Sequence, residues 1–121
     1  MNDENIVFPR EKAFYFFTSP GNYTGVSASS LKEFDDKAKE VNSKSLEFHL
    51  NRGDFEKWLS EVVKDNELAA EFRRLQKLNL SGDSLRIQMH LILSKRVKHS
   101  NYEQRVLPKF PNFPAIQPEE R

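Results

Sequence analysis

The stretch Ser45-Leu46-Glu47-Phe48-His49-Leu50-Asn51-Arg52-Gly53-Asp54-Phe55-Glu56-Lys57-Trp58-Leu59 decides how the chain reads. It holds the single tryptophan, one of three histidines, and an Arg-Gly-Asp corner between two apolar-periodic segments. After the corner, Phe55, Trp58, Leu59, Val62 and Val63 fall at i, i+3, i+4, i+7 and i+8, a complete amphipathic helical stripe. Before it, residues 44–51 read as a short helix or turn. Gly53 suits a helix end, because glycine takes the left-handed conformation at little steric cost. Asp54 is expected to cap the following helix, where the macrodipole also favours a carboxylate. Phe55 and Trp58 are assigned to the core.

Outward from this stretch the same logic gives more helices. Lys64-Asp65-Asn66 breaks the stripe, and Leu68, Ala69, Phe72 and Leu75 resume it with Arg73, Arg74 and Lys77 outside. Upstream, Ser30 and Glu33 have the spacing of a capping box. Leu31, Phe34, Ala38 and Val41 follow at helical intervals, with Asp35, Asp36, Lys37, Lys39 and Glu40 expected on the wet face. Ala13 to Thr18 is a continuous aromatic run, too short for a helix and rich in strand-favouring residues. Ser19-Pro20-Gly21-Asn22 is a turn, and Tyr23 to Ser29, small and polar with Gly25, reads as a loop. The last helix is placed from about Leu85 to about Tyr102. Ile87 and Leu91 widen its apolar face, so burial on more than one side is expected.

The fold class is therefore mainly α: a compact bundle of four or five short helices. A short N-terminal aromatic strand-like segment precedes it and an extended Pro-rich C-terminal tail follows. The expected divisions are an arm at 1–12, a single helical domain at 13–106 and the tail at 107–121.

A chain of 121 residues is one domain by size. It has no cysteine, which excludes disulfides and Cys-based zinc sites, and a cytoplasmic setting fits. Met1-Asn2-Asp3-Glu4-Asn5 is acidic and lacks the basic and apolar regions of a secretory signal. The apolar runs are far shorter than the ~20 residues of a membrane span, so no membrane partner is expected.

Charge is unevenly spread. Residues 1–71 carry 9 Lys/Arg against 14 Asp/Glu, and residues 72–121 carry 10 against 4. Such asymmetry marks either nucleic-acid contact by the basic half or two elements that attract each other within one fold. Charge alone favours the internal attraction. The candidate phosphate-binding cations are Arg86, Lys95, Arg96, Lys98, Arg105 and Lys109, which would bind an RNA backbone without sequence specificity. The competing reading is a solvated face.

From Leu107 four prolines interleave with Phe110, Phe113 and Ile116. These three apolar residues lie three apart, the period of a polyproline helix, so they share one side of it. Either the tail folds back over its own domain or it docks in another molecule's groove.

His49 is the most chemically suggestive residue, with Arg52 and Asp54 close by in sequence. An acid/base histidine needs a carboxylate to orient it. Glu47, two residues away, would lie on a different helical face. A buried histidine bonded to backbone or to Asp54 explains the segment better, so no catalytic residue is assigned. His49 and Arg52 instead join Phe110, Phe113 and Ile116 as candidate partner-binding residues. His49, His90 and His99 have no helical metal-ligand spacing among themselves, and no P-loop, GxSxG or GxGxxG occurs, so no metal or cofactor is expected.

Two groups of motifs are similar to a known family. Phe14-Tyr15-Phe16-Phe17-Thr18, Gly21-Asn22-Tyr23-Thr24-Gly25 and Ser30-Leu31-Lys32-Glu33-Phe34 form the first. Ser45-Leu46-Glu47-Phe48-His49, Arg52-Gly53-Asp54-Phe55, Trp58 and Glu67-Leu68-Ala69 form the second. Together they resemble a small, mostly archaeal family of unknown function, over residues 13 to about 95. The resemblance implies the fold and an archaeal cytoplasmic setting, with a neighbourhood of sugar-metabolism enzymes, and brings no activity with it.

The function expected from these readings is a non-enzymatic binding protein. Its partner would be a protein or a ribonucleoprotein such as the ribosome, met by the basic helix end and the Pro/Phe tail. The alternatives are a regulatory or adaptor domain for a protein enzyme, such as one of sugar metabolism, and an uncharacterised enzyme using His49, which needs a concave pocket there.

Overall fold

The computed structural model describes residues 6–97. Five helices follow a β-hairpin: β1 (Phe14–Phe17), β2 (Tyr23–Ala28), α1 (Leu31–Ala38), α2 (Ser43–Arg52), α3 (Asp54–Glu61), α4 (Asn66–Gln76) and α5 (Gly82–Leu93). A single 3-10 turn, Arg10–Lys12, precedes the hairpin.

The aromatic run forms β1, and its strict alternation buries Phe14 and Phe16 while Tyr15 and Phe17 face the other way. β2 corrects the sequence reading, which made Tyr23–Ser29 a loop. It pairs antiparallel with β1, setting Phe14 opposite Ala28 and Phe16 opposite Val26. The register then jumps, so that Phe17 faces Tyr23 and leaves Thr24 and Gly25 as a bulge. Gly25 sits there at φ 87°, a region glycine enters without steric penalty. Thr24 closes the bulge: its hydroxyl donates to the Phe16 carbonyl at 2.7 Å and accepts from the Val26 N–H at 3.1 Å.

The helices begin and end largely where cap chemistry puts them. Ser30 accepts from the Glu33 N–H at 3.1 Å, and the Glu33 carboxylate returns to the Ser29 N–H, one residue before the expected reciprocal partner. Gly53, at φ 80°, closes α2 and also stands at the N-cap of α3. Asp54 is thus the first residue of α3 and not its cap, which corrects the sequence assignment. Asp65 caps α4 through the Leu68 N–H at 3.0 Å. α5 starts at Gly82, three residues earlier than expected, and ends at Leu93. Its amino end is covered from α2, where the Glu47 carboxylate accepts from the Gly82 N–H at 2.8 Å. Ile87 and Leu91 are 56% and 52% exposed, so α5 buries one face only, contrary to expectation. The expected unbroken run to Tyr102 is overturned, because residues 94–97 are described and are no longer helix; residues 98–121, with the tail at 107–121, lie outside the described residues.

The core is aromatic. Phe14 packs against Phe16, Phe34, Phe55, His49 and Trp58 with ring centroids 4.8–5.7 Å apart. Phe16 stacks on Phe34, and Phe72 of α4 meets Phe55 edge-on. Such pairs contribute about 0.5–1.5 kcal/mol each beyond the burial of their area. Trp58 is fixed further by its indole N–H, which donates to the Lys12 carbonyl at 2.8 Å. Phe8 packs edge-on against the same indole, so the arm is docked from that point.

Candidate functional site

A cleft of about 560 Å³ opens between β1, α2 and α3. Its apolar wall includes Tyr15, Phe17, Phe48 and Trp58, and its charged groups are Arg52, Asp54, Lys57 and Glu61. A volume of this size lies within the ~300–1,000 Å³ typical of ligand sites. Helical periodicity explains the α3 contribution. Asp54, Trp58 and Val62 are spaced i, i+4 and i+8, with Lys57 and Glu61 beside them, so one strip of the helix lines the cleft while Phe55 and Leu59 turn inward.

The strand edge in this cleft is open. The Thr18 N–H bonds across the hairpin to the Asn22 carbonyl at 3.1 Å. Its neighbour Phe17 must therefore point its N–H to the opposite side, because backbone groups alternate along a strand. That N–H donates to Nε2 of His49 at 2.8 Å. By the same alternation the N–H and C=O of Tyr15, two residues earlier, lie on this open edge.

His49 is only 4% exposed, and both its ring nitrogens are engaged. Nε2 accepts from Phe17, so the neutral ring carries its proton on Nδ1, which donates to the Asp54 carboxylate at 2.7 Å. Burial lowers the His49 pKa, with Arg52 adding to that direction; the bond to Asp54 and its charge oppose it less strongly. Asp54 also holds Arg52, whose Nε lies 3.4 Å from Oδ2. The Arg52 guanidinium sits 4.9 Å from the Phe48 ring centroid, a cation–π contact at the lip of the cleft. The concave pocket required of an enzyme at His49 is present, but the nitrogen that would take a substrate proton already accepts a hydrogen bond from the Phe17 N–H.

The basic residues fare differently. Arg86 donates to the Ala38 and Val41 carbonyls at 2.9 and 2.8 Å, closing the carboxyl end of α1. Arg96 binds Asp65 at 2.6 Å and reaches Glu67 at 3.3 Å. Lys95 lies 3.1 Å from Glu71. The Arg96 bond holds the Asp65 carboxyl below its usual value, and Asp65 in turn raises Arg96. Lys98, Arg105, Lys109, Phe110, Phe113 and Ile116 lie outside the described residues. Of the candidate residues that are described, the structure brings His49 and Arg52 into the cleft.

Sequence reading missed Tyr15, Phe17, Phe48, Lys57 and Glu61 as cleft residues. A signal for Lys57 and Glu61 was present, since both flank the Asp54–Trp58–Val62 strip; the β1 wall had none. Among the described residues no group of three His, Asp or Glu side chains is placed to hold a metal ion. No helix among them is long and apolar enough to cross a membrane.

The fold and cleft define a small helical domain with an aromatic groove beside a strand edge. No protein-family model matches the chain, and neither does any curated protein or solved structure. Function is therefore read from the geometry.

Proposed function

We propose that this domain is a non-enzymatic protein-binding module whose cleft takes an extended segment of polypeptide. The observation that carries this reading is the open edge of β1 along an aromatic-walled groove. An incoming strand adds backbone hydrogen bonds at Tyr15 and places side chains against Phe48 and Trp58, the mode of β-strand addition. Lys57 on the rim favours a ligand with at least one carboxylate, while Arg52 is already held by Asp54. The engaged ring of His49 supports a binding role over acid/base catalysis. The internal partners of Arg86, Lys95 and Arg96 favour a protein ligand over RNA, because a paired cation gains less from a phosphate. An adaptor or regulatory domain is the broader role this suits.

The test is selection of peptides from a random display library on the full chain, followed by titration using Trp58, the sole tryptophan, as reporter. Selected peptides are expected to shift Trp58 emission and to bind the Arg52→Glu, Lys57→Glu double variant at least about tenfold more weakly, a loss of ~1.4 kcal/mol. Selection yielding no binder, or binders indifferent to both substitutions and to Phe48→Ala, would overturn the reading.

A further inference from the structure

We infer that the polypeptide taken by the cleft is a strand antiparallel to β1 that carries, in N-to-C order, an acidic, an aromatic and a basic residue. The inference rests on the cleft being a site for extended polypeptide, and it names the chemistry of that ligand. Three observations lead to it.

The first is which charges of the cleft remain unengaged. Its charged side chains are Arg52, Asp54, Lys57 and Glu61. Arg52 and Asp54 hold each other at 3.4 Å, and Asp54 is bonded to His49 as well. Lys57 and Glu61 make no ion pair or side-chain hydrogen bond among the described residues. Nor do they pair with each other; lysine four residues before glutamate is the less favourable order for such a pair on a helix. Across the ridge of α3, Arg73 is held by Glu56 at 2.7 Å and does not compete for Glu61. The helix therefore offers one cation and one anion, a turn apart, to whatever enters.

The second is spacing. Four residues of helix rise about 6 Å, and two residues of strand advance about 6.6–6.8 Å. Residues i and i+2 of an added strand share one face, so both can meet α3, one at Lys57 and the other at Glu61. Trp58 lies between the two charges along the helix. The methylene stems of long charged side chains cover its indole while their ends reach past it.

The third is direction. His49 and Asp54 stand at the carboxyl end of β1, through the Phe17 N–H, and Trp58 stands at its amino end, through the Lys12 carbonyl. α3 thus runs opposite to β1 along the cleft, with Lys57 on the Phe17 side of Glu61. Antiparallel pairing is the more stable per residue. A strand added that way starts at the Phe17 end and meets Lys57 first, so its acidic residue precedes its basic one. The residue between them is set opposite Tyr15, and directly opposed residues of neighbouring strands point to the same face. On that face the Tyr23 ring lies 5.9 Å from Tyr15 and 5.3 Å from Phe17, and Tyr23 is 46% exposed. An aromatic residue in the middle position extends this cluster across the new strand pair.

The experiment selects peptides from a random display library on the full chain and, in parallel, on its Lys57→Glu, Glu61→Lys variant. Both side chains are exposed, so the exchange leaves the core untouched. Wild-type selections are expected to enrich acidic-aromatic-basic triplets, and selections on the variant basic-aromatic-acidic ones. A peptide from the first set should lose about fivefold in affinity for the variant, and exchanging its own two charges should restore binding to within about twofold. Binders that lack the triplet, or carry the same triplet on both proteins, overturn the inference; if Phe48→Ala weakens them, the cleft remains a peptide site. The reversed order on the wild type overturns the antiparallel assignment. Selection yielding no binder on either protein removes the binding reading itself, and this inference with it.

Discussion

Two regions of the molecule treat charge and apolar surface in opposite ways. At the junction of α4 with the end of α5, Arg96 and Lys95 meet Asp65, Glu67 and Glu71. In the cleft between β1, α2 and α3, aromatic rings line open space and a strand edge, while Asp54 holds both His49 and Arg52. Lys95 and Arg96, candidate phosphate contacts in sequence, are thus part of a clasp in the structure. The cleft looks architectural in sequence and carries the open surface. A run of like charge does not identify a partner until its internal counter-charges are known.

Substitutions separate the two regions by size of effect. Phe14→Ala removes the ring at the floor of the cleft, where five aromatic partners converge. It is expected to cost about 3–5 kcal/mol in chemical denaturation, the range for large-to-small changes in a packed core. His49→Ala comes next. It strips the Phe17 N–H and the Asp54 carboxylate of their partner, a loss of about 2–3 kcal/mol with unsatisfied polar groups as its main source. If His49→Ala were tolerated within error, the clamp joining α2 to the strand edge would be wrong.

Acid should act on the cleft before it acts on the clasp. The folded pKa of His49 lies below its ordinary value of 6.5, so the unfolded chain takes up this proton more readily. The corresponding stability is complete above about pH 6.5 and declines as pH falls toward the folded value. Asp65 also has a lowered pKa, from 3.8, so its contribution persists above that value and is lost as pH falls through the folded one. Urea midpoints measured from pH 8 to pH 3 should show both declines. His49→Gln should abolish the upper decline and leave the lower.

Arg96→Ala should cost about 1 kcal/mol, because both partners are partly buried and the geometry is short. Lys95→Ala, at an exposed pair, should cost less than about 0.5 kcal/mol. Neither should weaken a cleft-binding peptide. A reversal, with Lys95→Ala abolishing partner binding and Arg52→Glu leaving it intact, would return the basic end to the position of functional surface.

The helices were legible because their signals are local. Ser30, Asp65 and Gly53 mark ends, and Phe55, Trp58 and Leu59 give the period without reference to anything distant. β2 was not, because Thr24-Gly25 at the bulge interrupts alternation and its small, polar residues resemble a loop. The bond from Asp54 to His49 was among the readings that spacing allowed, since the two are five residues apart. The bond from Phe17 was invisible, as the register of a hairpin 32 residues upstream decides it. The same holds for Arg86, whose partners Ala38 and Val41 lie at the far end of the chain's first helix. The preference for internal attraction between acidic and basic halves matches the Arg96–Asp65 and Lys95–Glu71 pairs. The cleft itself has no sequence signature, because its walls come from a strand, a turn and two helices.

Amide hydrogen exchange at Tyr15 tests the central claim most directly. In the full chain saturated with a selected peptide, the Tyr15 N–H is expected to exchange markedly more slowly than without it, because the ligand supplies the missing strand. The Phe17 N–H, already held by His49, should change little. Tyr15 exchange that stays unchanged while the peptide is demonstrably bound would contradict strand addition at the β1 edge.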